Sequence, residues 1–124
     1  MFIKKAYIRL IINANEKEIA VNIFDEIISK VSIIKNSLTE LKRYEDNFHY
    51  EASFSVELSA ETLTQLEHKA VKLCTTIVNG PWLFVKLPEE EIDFEFEAIF
   101  NQEAFIHHSK EYNNKLKWAH LEIS

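Results

Sequence analysis

Eleven consecutive residues, from Phe48 to Leu58, alternate without a break. Phe48, Tyr50, Ala52, Phe54, Val56 and Leu58 fall on one side, and His49, Glu51, Ser53, Ser55 and Glu57 on the other. A period of two is the geometry of a β-strand, whose successive side chains point to opposite faces. A strand with one apolar and one polar face belongs in a sheet covered on one side and wet on the other. That requirement rules out an all-helical fold and a parallel sheet buried on both faces.

The remaining segments supply what covers the sheet. Ala6 to Ile12 reads as a first strand, with Ala6, Ile8, Leu10 and Ile12 on one face. Asn15, with Glu18 three residues on, is a capping-box pattern that predicts a helix start. Ala20, Ile23, Phe24, Ile27, Ile28 and Val31 then form one apolar helical stripe. Ser37 to Tyr44 is a weaker strand candidate, closed by a turn at Glu45, Asp46 and Asn47. After the long alternating strand, Ser59 is expected to cap a second helix with Leu63, Leu66, Ala70, Leu73, Cys74 and Ile77 on its buried stripe. Asn79, Gly80 and Pro81 are expected to end it, with Gly80 as a left-handed cap.

Trp82 to Leu87 reads as a short strand, and Pro88 with Glu89, Glu90 and Glu91 as a turn. From Ile92 to Asn101 the alternation returns. Ile92, Phe94, Phe96, Ala98 and Phe100 face one way, and Asp93, Glu95, Glu97, Ile99 and Asn101 the other. Gln102 to Tyr112 is a short helix candidate and Lys115 to Ile123 a last strand. The expected order is β-α-β-β-α-β-β-(short α)-β. This is an α+β fold: a ferredoxin-like β-α-β-β-α-β core extended by one or two C-terminal strands, with two helices on one face of an antiparallel sheet. With 124 residues and no Gly/Ser linker, residues 1–124 are expected to form a single domain.

Composition removes several function classes. The single glycine excludes phosphate-cradling glycine loops, and the single cysteine, Cys74, excludes an internal disulfide and multi-cysteine metal sites. Cys74 sits in an apolar stripe, where a thiol is packing material rather than a nucleophile. A net charge of −6 argues against nucleic acid, whose phosphates call for a Lys/Arg surplus. No apolar run is long enough to span a membrane, and Arg9 breaks the only stretch that resembles a leader. A cytoplasmic location is expected. Abundant Ile, Lys, Glu and Asn, with Arg only at Arg9 and Arg43, point to an AT-rich bacterial or phage genome.

No catalytic constellation is expected. His49, His68, His107, His108 and His120 lack metal-ligand spacing, and adjacent His107 and His108 point to different sides of any regular element. His49 is expected to be an exposed sheet residue. No metal, cofactor or catalytic residue is assigned. The outward faces of two strands are rich in carboxylates instead: Glu51 and Glu57 on one, Asp93, Glu95 and Glu97 on the other. The plain reading is a solvated sheet face. The functional reading is a docking surface for a basic protein, whose charge complementarity would speed association and select the partner. Trp82, Trp118, Phe84, Phe105 and Tyr112 make the C-terminal half rich in aromatics, and one of them exposed within an acidic rim would suit an interface hot spot.

In size, acidity and absence of a catalytic signature, with Glu51, Glu57, Asp93, Glu95 and Glu97 on strand faces, the chain resembles the small acidic immunity proteins that bacteria pair with secreted toxins, including those of contact-dependent inhibition systems. The resemblance implies a toxin partner, often a cationic nuclease, neutralised by occlusion of its active site. The other reading is a small-molecule sensor or small enzyme on a ferredoxin-like scaffold. A homo-oligomer is compatible with either.

Overall fold

A computed structural model describes residues 1–31, 41–80, 82–86, 94–101 and 115–123. In chain order these form β1 (Phe2–Ile12), α1 (Lys17–Val31), β2 (Leu41–Arg43), β3 (Tyr50–Ala60), α2 (Leu63–Ile77), β4 (Leu83–Lys86), β5 (Phe96–Asn101) and β6 (Leu116–Ile123). The strands make one six-stranded sheet in the order β2-β3-β1-β6-β5-β4, and every neighbouring pair is antiparallel.

Over the described residues the fold is α+β, with two helices and an antiparallel sheet. Its first half keeps the split arrangement expected from the sequence, because β3 lies between β1 and β2. The second half departs from the ferredoxin-like order. The place beside β1 belongs to β6, and β4 lies at the far edge beyond β5. The lengths give a physical reason. β6 offers eight residues with Ala119, Leu121 and Ile123 fully packed, whereas β4 has four residues and leaves Leu83 67% exposed. The strand with more apolar surface takes the central position, where both edges are paired.

The alternation along each strand decides the layers. Ala6, Ile8, Leu10 and Ile12 of β1 join Tyr50, Ala52 and Phe54 of β3 and Phe96, Ala98 and Phe100 of β5 in one buried cluster. Both helices press their stripes into it, α1 with Ala20, Phe24 and Ile27, and α2 with Leu66, Ala70, Leu73, Cys74 and Ile77. Phe24 meets Phe54 edge to face, with 5.8 Å between ring centroids, a favoured aromatic geometry. Among the described residues, no helix lies over the opposite face.

Element ends differ from the sequence expectation at several points. The first bond of α1 runs from the Ala20 amide to the Glu16 carbonyl, which makes Glu16 the cap rather than Asn15. Ser59 is held in β3 by its register with Ile3. Thr62 caps α2 instead, its hydroxyl accepting from the Gln65 amide at 3.2 Å. At the other end Val78 is the cap in extended conformation, and no glycine has positive φ. The Trp82 indole donates to the Val78 carbonyl at 3.1 Å and secures that end. The short helix expected at Gln102 to Tyr112 and the turn at Pro88 to Glu91 lie outside the described residues.

The turn into β3 is built around Asp46. Its carboxylate accepts from the amides of Phe48 and His49 and lies 2.6 Å from His49 Nδ1. His49, expected to be an exposed sheet residue, is therefore half-buried at the start of the strand. Arg43 donates to the Asn47 carbonyl and the Tyr50 hydroxyl and covers the Tyr50 ring.

Candidate functional site

The helix-free face is where the outward residues of four strands meet. Its centre is Arg9 on β1. Register places Arg9 opposite Ser53 on β3 and opposite His120 on β6. Tyr7 lies two residues away on the same face, opposite Ser55 and Glu122. On β6 a bulge at Lys117 separates the Ile12–Leu116 pair from the Ile11–Trp118 pair. The extra residue lets Leu116 enter the core while Trp118, His120 and Glu122 keep the outer face.

A chain of contacts crosses this face. Arg9 Nε donates to Glu51 Oε1 at 2.7 Å. The Arg9 guanidinium lies over the Trp118 ring, 5.5 Å from its centroid, within reach of a cation–π attraction. Trp118 stacks on His120, with 6° between planes and 5.7 Å between centroids. His120 Nε2 lies 2.8 Å from Glu97 Oε2. From Glu51 to Glu97 the row alternates carboxylate, guanidinium, indole, imidazole and carboxylate across β3, β1, β6 and β5. The hydrogen bond to Glu51 holds the Arg9 pKa above its ordinary value.

Glu51, Glu57 and Glu97 all project from this face, as the alternation of their strands requires. They do not form an unbroken carboxylate field. β1 and β6 stand between them and bring in Arg9 and His120, which engage Glu51 and Glu97. Glu57 is exposed and sits opposite Lys5 in the register. Glu95 is exposed just before β5, and Asp93 lies outside the described residues. The face is of mixed charge.

The sequence assigns no binding role to Tyr7, Arg9, His120 or Glu122, and it places Trp118 among five aromatics. The usable signal was the alternation of Trp118, His120 and Glu122 against Ala119, Leu121 and Ile123, the same period two that marks β3. Of the other aromatics, Trp82 is buried and Phe84 packs against Phe96 at the sheet edge, while Phe105 and Tyr112 lie outside the described residues.

Two open hollows flank Arg9. One, of ≈ 350 Å³, is bordered by Tyr7, Ser53, Ser55, His120 and Glu122. The other, of ≈ 300 Å³, is bordered by Ile11, Tyr44, Asn101, Lys117 and Trp118. Both are at the small end for sites that enclose a ligand. Cys74 stays in the core, fully buried, and burial pushes its thiol pKa up to about 12. A thiol held in that state is a poor nucleophile. None of the described helices is long and apolar enough to cross a membrane. No protein-family model matches the chain, and no curated protein matches it.

Proposed function

We propose that the chain is a non-catalytic binding protein of the toxin-immunity kind, which docks a basic protein on its helix-free sheet face. One observation carries the reading. Tyr7, Arg9 and Trp118 stand side by side and partly exposed on that face, with Glu51, Glu57, Glu97 and Glu122 around them. Tyr, Trp and Arg are the residue types that dominate interface energetics, and an outer ring of charge sets partner choice and encounter rate. Arg9, already tied to Glu51 and Trp118, is preorganised and loses less side-chain freedom on docking. A cytoplasmic location accords with this reading.

The test is parallel capture from the source cells with wild type, Trp118→Ala and Glu57→Lys as bait. The reading expects one basic protein, retained by wild type at low salt, depleted at high salt and lost from Trp118→Ala. A partner that both variants hold as well as wild type does would overturn it. The second reading, a small-molecule sensor, is favoured by the ≈ 350 Å³ hollow beside Tyr7. An empty capture together with a small molecule retained in native mass spectra would support that reading instead.

A further inference from the structure

We propose that Glu97, His120 and Glu122 form a binding site for a divalent transition-metal cation such as Zn²⁺. The proposal concerns one corner of the open face and stands independently of any protein partner.

Glu97 and Glu122 are direct partners in the β5–β6 register. Like charges opposite one another on a sheet repel, at a cost that a cation between them removes. His120 precedes Glu122 by two residues and shares its face. Its Nε2 is already 2.8 Å from Glu97 Oε2, and ligand atoms of the three residues all lie within 4.8 Å of one another. Metal bonds of about 2.0–2.2 Å around a tetrahedral ion place neighbouring ligand atoms about 3.3 Å apart. Closing the set takes an inward rotation of the carboxylate of Glu122, an exposed residue, and an opening of the His120–Glu97 pair by about 0.5 Å.

The donor set decides the class of ion. Two carboxylates and a neutral imidazole carry the charge that balances a dication. The imidazole nitrogen favours zinc and its transition-metal neighbours over calcium or magnesium. Trp118 stacked on His120 holds the ring plane, as outer contacts commonly orient metal-binding histidines. The nearest cation of the row, Arg9, is committed to Glu51 and Trp118. Three protein ligands from one side leave a coordination position open toward the hollow that His120 and Glu122 border, the pattern of a site with an exchangeable ligand.

The experiment titrates the full chain with Zn²⁺ by calorimetry and with Co²⁺ by visible absorption, alongside His120→Ala and Glu122→Gln, with circular dichroism on each. The site predicts one Zn²⁺ per chain, affinity at least tenfold weaker in both variants, and Co²⁺ absorption bands that disappear in His120→Ala. Zn²⁺ binding that is equal in wild type and folded variants would place the metal on other histidines and overturn the proposal. So would the absence of binding at millimolar Zn²⁺. Glu122 is at the surface, so Glu122→Gln serves if His120→Ala does not fold.

Discussion

The indole of Trp118 lies parallel to the imidazole of His120, 5.7 Å away, on successive outward positions of β6. Arg9 covers the same indole from β1. Trp118 thus ties two strands together on the wet side of the sheet, where no helix does so among the described residues. Trp118→Ala is expected to leave the fold intact and to lower stability by about 1–2 kcal/mol, from a lost aromatic contact and a lost cation–π contact. Urea unfolding with an unchanged slope checks this. A double-mutant cycle with Arg9→Ala should give a coupling of about 0.5–1 kcal/mol.

The Arg9–Glu51 pair is half solvent-exposed on its arginine side. Ion pairs in such settings contribute about 0–1 kcal/mol. Glu51→Gln is therefore expected to cost less than Trp118→Ala and to lose its effect in high salt. A larger cost, unchanged by salt, would show that packing rather than charge matters there.

Gly80 approaches the buried Phe100 ring so closely that an added Cβ would lie 3.0 Å from Phe100 Cε2. The glycine is needed for that approach, since its φ is not positive. Phe100 is 1% exposed, so any shift of its ring must be taken up within the core. Gly80→Ala is expected to destabilise by about 1–3 kcal/mol through overpacking. Gly80→Ala combined with Phe100→Leu should recover part of the loss in thermal melts.

Cys74 should resist thiol reagents in the native state and react fully in denaturant. Its labelling rate should follow the opening of the core rather than the pH dependence of a free thiol.

Two surface carboxylates make stability depend on acid. Lys115 first, and then Lys30, hold Glu26 below its ordinary value of 4.5. Partial burial alone would raise Asp46, but the Phe48 amide and the His49 ring outweigh it and hold Asp46 below its ordinary 3.8. For a depressed folded pKa, the contribution is present above the unfolded pKa and is lost as pH falls through the folded one. Stability should therefore decline as pH drops below about 4.5. Glu26→Gln and Asp46→Asn should each flatten that decline in urea titrations run from neutral pH to about pH 2.

Local periodicity is enough to set several of the elements. The alternation became β3 from Tyr50 onward, while Phe48 lies in the preceding turn and is exposed; the stripes from Ala20 to Val31 and from Leu63 to Ile77 became the buried faces of α1 and α2. Cys74 went into the core for the same reason. Periodicity acts within one element, so it is legible residue by residue. The neighbours in the second half of the sheet, and the register throughout, depend on tertiary structure. The β5–β6 pairing brings His120 to Glu97, 23 residues away. The β1–β3 pairing brings Arg9 to Glu51, 42 residues away. Both contacts depend on strand order and register, and a bulge at a single residue sets the outward face of β6. Order and register follow from burial summed over the whole sheet, which the pattern of any one strand does not contain.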